Sequence, residues 1–170
     1  LLCVLVVANL SPLWQGEMLG SLVQRPEEIP GYWHEAAAHL EASGQGTRVL
    51  ELPGSDFAAY RWGNSGDPVL PGLMDRPYAA RELIPQGSPA PAALLVALDT
   101  EVQEGRVDSD GLAPLARLMG VGDVVLRSDL QFERFRTPRP DELWAELRDA
   151  PGFGPAIPFG TPSPNVAGPE

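Results

Sequence analysis

Residues 60–77, YRWGNSGDPVLPGLMDRP, hold the densest set of chemically able side chains in the 170-residue chain. Tyr60, Arg61, Trp62, Asp67, Asp75 and Arg76 stand there among three prolines and three glycines, and Arg81 follows shortly after. The run shows neither a 3.6-residue period nor a strict alternation, so it is expected to be a shaped loop. Its aromatic rings could give a ligand an apolar platform, and its aspartates and arginines could hydrogen-bond polar groups or, for Arg, an anion. Tyr60, Arg61, Trp62, Asp67, Asp75, Arg76 and Arg81 are therefore the candidate substrate-binding residues. The same residues support a second reading, in which they only satisfy one another. Asp75 then caps a turn, Arg76 and Arg81 pair with nearby acids, and Trp62 packs into the domain. Asp67 and Asp75 could also be read as a general acid/base pair of a hydrolase, but Asp is common in turns. No catalytic residue is assigned.

Composition narrows the classes. The formal net charge is −11, and all twelve basic residues are Arg. A nucleic-acid surface needs clustered positive charge, so nucleic acid is not expected as a partner. Cys3 is the single cysteine, which excludes an intrachain disulfide. His34 and His39 are five apart and do not share a helical face, so no metal site is assigned. No G-x-G-x-x-G follows a strand, and neither a P-loop nor a G-x-S-x-G elbow is present.

The elements that must position the loop follow from periodicity. LLCVLVVANL at residues 1–10 is apolar and too short to span a bilayer, which takes about 20 residues. Residues 1–14 are read as the end of a transmembrane helix, closed by Pro12 and the interfacial Trp14. The alternative is a buried N-terminal strand. Residues 15–29 read as a linker, 30–150 as an α/β domain, and 151–170, rich in Pro and Gly, as a second linker.

Within the domain, a helix over about residues 30–43 carries Trp33, Ala36, Ala37 and Leu40 on one stripe and stops at Gly44. TRVLELP reads as a strand buried on both faces. Residues 54–88 are a long irregular region, of a kind that is often functional. A helix beginning at Ser88 and Pro89 turns Leu94, Leu95, Leu98 and Val102 inward. The next, over 108–120, buries Leu112, Leu115, Leu118 and Met119. VGDVVLRSDL is a second buried strand, and a last helix carries Leu143, Trp144 and Leu147. This order predicts an α/β fold, a small partly parallel sheet with flanking helices. Two strands need a third partner, either residues 57–62 or a segment outside the chain.

Six pieces occur in one order: RVLELPG at 48–54, YRWG at 60–63, DPVLPGLMDRP at 67–77, RELIPQGSP at 81–89, ARLMGVGDVVLRSDL at 116–130 and RFRTPRP at 134–140. The series resembles the extracytoplasmic part of the large actinobacterial alpha-(1->3)-arabinofuranosyltransferases, over roughly residues 1–140. That resemblance implies a multi-pass membrane parent of GT-C architecture. Its donor would be decaprenyl-phosphoryl-arabinofuranose and its acceptor cell-wall arabinan. The family's catalytic acid is expected on an early extracytoplasmic loop outside this chain, so the chain alone is expected to be inactive. No cofactor is expected in this chain, and a divalent metal is a candidate cofactor of the parent. A non-catalytic carbohydrate-binding or scaffold module, and a freestanding soluble enzyme, are the competing expectations.

Overall fold

In a computed structural model of the chain, the structure describes residues 7, 10, 14, 28–44, 46–84, 87–135 and 137–166. The expected membrane end at 1–14 and linker at 15–29 lie almost wholly outside them. Among the described residues, no helix is long and apolar enough to cross a membrane.

The fold is α/β. Helix α1 (Gly31–Ser43) leads into strand β1 (Arg48–Leu52). A hairpin of β2 (Ala58–Tyr60) and β3 (Gly63–Gly66) follows, then a single 3-10 turn at Leu70–Gly72 and the short β4 (Tyr78–Ala79). Helices α2 (Pro89–Gln103) and α3 (Ser109–Leu118) precede β5 (Val121–Leu126), and α4 (Phe132–Phe135) and α5 (Pro140–Leu147) complete the order. β1 is the centre of a three-stranded parallel sheet, β4-β1-β5.

The missing third strand therefore comes from the long loop itself, at Tyr78–Ala79, and not from residues 57–62. The AAY segment pairs instead with residues 63–66 as a separate antiparallel hairpin. That hairpin docks on the segment after β5: Arg61 N–H donates to the Asp129 carbonyl (2.7 Å) and Gln131 N–H to the Ala59 carbonyl (2.8 Å).

Side-chain alternation along β1 explains why it is buried on both faces. Val49 enters one core with Trp33, Ala37, Leu40, Tyr60 and Leu70. Leu50 and Leu52 enter the other with Leu98, Val102, Leu112, Val121 and Leu143. The α1 stripe of Trp33, Ala36, Ala37 and Leu40 is buried as its spacing predicts. Pro30 lies just before that helix and not in its first turn.

Helices α2 and α3 each turn one expected core leucine outward, while Leu98, Val102 and Leu112 are buried as expected and Leu95, Leu115 and Met119 pack against them. Asp99, not Leu94, faces inward on α2, because a buried network around Gly54 needs its carboxylate. Leu118, at 87 % exposure, points outward at the end of α3. On α5, Leu143 and Leu147 are buried, while Trp144 is exposed. β5 is an edge strand, and its last four residues are only half-buried.

Residues 151–166 contain no helix or strand, yet they lie against the domain. Phe159 packs beside His39 (5.6 Å between ring centroids), and Asn165 bonds to the segment after β5.

Candidate functional site

Each residue singled out in the sequence now has a place. Tyr60 ends β2 and is fully buried. It stacks on Trp62 (centroids 4.8 Å apart, 14° between planes) and meets Trp33 edge-on at 5.6 Å. Its hydroxyl accepts the Val69 N–H at 3.3 Å, and burial pushes its phenol up to about 12. Tyr60 is thus part of the core and supports Trp62 from behind. Arg61 makes a bidentate pair with Glu133 at 2.5 and 2.6 Å, and its Nε donates to Asn165 Oδ1. The hydrogen bonds from Arg61 hold the Glu133 carboxyl below its usual range.

Arg76 is buried beneath the end of α1. It donates to the carbonyls of Leu40 (2.8 Å) and Thr47 (3.0 Å) and pairs with Asp123 at 2.7 Å. Gly44 makes room for it, since a Cβ there would sit 1.8 Å from the Arg76 Cζ. The backbone N–H groups of Asp75 and Arg76 both donate to Glu41 Oε1. The Asp75 and Asp67 side chains are exposed.

Arg81 pairs with Asp56 at 2.7 Å and lies 3.6 Å from Asp99. Asp99 also accepts from Gly54 N–H (2.6 Å) and Gln103 Nε2 (2.7 Å), and burial raises its pKa against those stabilising partners. A second buried pair sits nearby. Glu51 and Arg127 approach to 3.8 Å, with side chains 0 % and 1 % exposed. Arg127 Nη2 donates to the Pro53 carbonyl, while both Glu51 oxygens and Arg127 Nε and Nη1 have no hydrogen-bond partner. Burial drives the Glu51 carboxyl up, opposed by the Arg127 charge.

The seven candidates therefore separate. Arg76 and Arg81 hold the loop to the domain, as the self-satisfying reading expects. Arg61 and Trp62 alone among the seven line a cleft of about 390 Å³.

The centre of that cleft is Asp129, which stands in the resemblance run ARLMGVGDVVLRSDL but carries no obvious sequence signal. Its Oδ2 accepts three hydrogen bonds: from Tyr32 hydroxyl (2.8 Å), Trp33 Nε1 (2.9 Å) and Trp62 Nε1 (2.9 Å). Burial and the adjacent Asp129 charge hold the Tyr32 phenol protonated well above its usual range. Helix α1 supplies Tyr32 and Trp33, the hairpin supplies Trp62, and the turn after β5 supplies Asp129. The far wall is the segment 163–166, pinned by Asn165, whose Nδ2 donates to the carbonyls of Ser128 (2.6 Å) and Leu130 (2.9 Å).

Asp129 and Asn165 were not singled out from sequence, because each acts through partners far along the chain. Among the described residues that line the cleft, Asp129 is the single carboxylate. Among the described residues, no three His, Cys, Asp or Glu side chains are grouped to hold a metal ion.

The fold recurs as one part of a much larger glycosyltransferase. Residues 1–168 match the family described as alpha-(1->3)-arabinofuranosyltransferase, N-terminal GT-C domain, and the chain belongs to that family. Two curated alpha-(1->3)-arabinofuranosyltransferases are similar. That of Mycolicibacterium smegmatis is 37% identical over 135 residues, and that of Mycobacterium tuberculosis 36% over 138 residues. Each alignment covers 79% of this chain and 10% of the relative, so the chain spans about a tenth of their length. Among solved structures, a cryo-EM structure of the arabinofuranosyltransferase AftD from mycobacteria superposes with a TM-score of 0.82. It shares 30% identity over 97% of this chain and 13% of that one. A mutant form of the same enzyme gives 0.75 at 29% identity, over 95% of this chain and 13% of its own.

Proposed function

We propose that this chain is a non-catalytic, extracytoplasmic part of a membrane enzyme that transfers arabinofuranose from a decaprenyl-phosphate donor to cell-wall arabinan. The observation that carries this reading is the family match over residues 1–168, joined to a shared fold across 97% of the chain. The residues around the loop agree with a supporting role. Arg76 and Arg81 are engaged in holding structure, and the described residues of the cleft offer one carboxylate, which supports placing the bond-making groups elsewhere in the parent. A divalent metal, if the parent uses one, would be held by residues other than those described here.

The test uses membranes carrying the full-length parent. They should move labelled arabinose from decaprenyl-phosphoryl-arabinofuranose onto a synthetic arabinofuranosyl acceptor. A membrane-impermeant reagent should label an exposed position such as Leu118→Cys from the outer side. Membranes with the intact parent but no transfer above the empty-vector background would overturn the transferase reading. Labelling from the cytoplasmic side alone would overturn the sidedness.

A further inference from the structure

The cleft around Asp129 has a chemistry of its own. Three donors converge on Oδ2, which orients the carboxylate and keeps the other oxygen, Oδ1, outside that set of bonds. An ionised carboxylate oxygen only accepts, so it selects a ligand that presents hydroxyl or N–H donors. Tyr32 and Trp62 spend their polar tips on Asp129, and their ring carbons are left to line the space. Among the described residues that line the cleft, the one cation, Arg61, is already neutralised by a bidentate bond to Glu133. With a net charge of −11 on the chain, a phosphate or other anion finds no free positive partner among the described residues that line the cleft. The volume of about 390 Å³ lies at the low end of ligand pockets, about 300–1,000 Å³. The ligand that fits is small, neutral, rich in hydroxyls and apolar on its ring faces.

Resting on the transferase reading above, we infer that this cleft is a sugar subsite that holds a furanosyl residue of the arabinan chain between Trp62 and Tyr32, with a ring hydroxyl donating to Asp129 Oδ1. The segment 163–166 forms the outer wall of the subsite. Asn165 keeps it in place by bonding to Arg61 and to the carbonyls beside Asp129. The subsite positions the polymer and takes no part in bond breaking.

Two variants of the full-length parent test this. Asp129→Asn keeps an oxygen for the three donors and turns an amide N–H₂ toward the cleft in place of the acceptor. Ser163→Trp fills the cleft from an exposed position, so folding should be indifferent to it. Purified protein is titrated calorimetrically with a synthetic alpha-arabinofuranosyl hexasaccharide, and transfer is measured separately against acceptor and against lipid donor. Each variant should weaken hexasaccharide binding about tenfold or more, and raise the acceptor KM by a similar factor, with donor KM unchanged in both and the melting temperature unchanged in Ser163→Trp. A rise in donor KM alone would overturn the assignment to the polymer and give the ring to the donor. Unchanged hexasaccharide binding and acceptor KM in both variants would overturn the subsite altogether. Should wild-type parent bind hexasaccharide in a Ser163-sensitive way but transfer nothing, the transferase reading falls and the subsite stands.

Discussion

Replacing Asp129 with Ala removes the acceptor shared by Tyr32, Trp33 and Trp62. The three donors are not equally placed. Trp33 is 4 % exposed, so its indole N–H has no route to water and loses about 1–3 kcal/mol as an unsatisfied buried donor. Tyr32 and Trp62 are half-buried and can turn toward solvent, at about 0.5–1.5 kcal/mol each. The sum centres on about 4 kcal/mol, a large share of the stability of a domain this size, about 5–15 kcal/mol. Asp129→Asn retains an oxygen for the donors and should lose only about 1–2 kcal/mol. Urea unfolding followed by tryptophan fluorescence reads both variants, because two of the three donors are the indoles themselves. A second readout is the Tyr32 phenol. Losing the Asp129 charge should bring its titration down toward the ordinary tyrosine range in an ultraviolet pH titration, although burial keeps it raised. An Asp129→Ala protein within about 1 kcal/mol of wild type, with an unmoved Tyr32, would refute the claim that this carboxylate organises the cleft.

Three further outcomes follow from groups buried elsewhere. Arg76→Ala should cost about 2–4 kcal/mol by stranding the Leu40 and Thr47 carbonyls, and Gly44→Ala should destabilise too by driving a Cβ into the same guanidinium; chemical denaturation checks both. Glu51→Ala should cost about 3–5 kcal/mol by leaving Arg127 charged and alone, whereas the double change Glu51→Leu with Arg127→Met should be neutral or stabilising, since the pair is fully buried and poorly bonded; comparing the three midpoints decides it. Asp99 has a raised folded pKa, so protonation favours the folded state. Its contribution is present below the ordinary carboxylate value, near pH 4, and is lost as pH rises through the folded value. Relative to Asp99→Asn, wild type should therefore lose stability as pH rises from about 4 through the raised folded value in a series of urea titrations.

What local patterning determines, the sequence already carried. The Trp33–Leu40 stripe, the doubly buried β1, the helix start at Pro89 and the helix that follows Asp108 come from spacing and helix-start chemistry, which act over a few residues. The ordered run of six pieces likewise pointed to the family, because a series of matches in register is information that one chain can hold. The density of Arg, Asp and aromatic residues in 60–77 showed where the loop would be shaped, but not what each residue would meet. Leu118 and Leu94 have the same apolar character as their buried neighbours, and only the packing of α3 and α2 turned them outward.

Tertiary structure alone decided the rest. Tyr78–Ala79 became a strand because β1 offered a free edge, since two residues cannot announce a strand by periodicity. The cleft depends on contacts spanning 67 to 104 residues of chain, from Trp62 to Asp129, Trp33 to Asp129, Tyr32 to Asp129 and Arg61 to Asn165. A carboxylate draws its role from the donors that surround it, and those donors arrive only when the sheet, the hairpin and α1 have packed together.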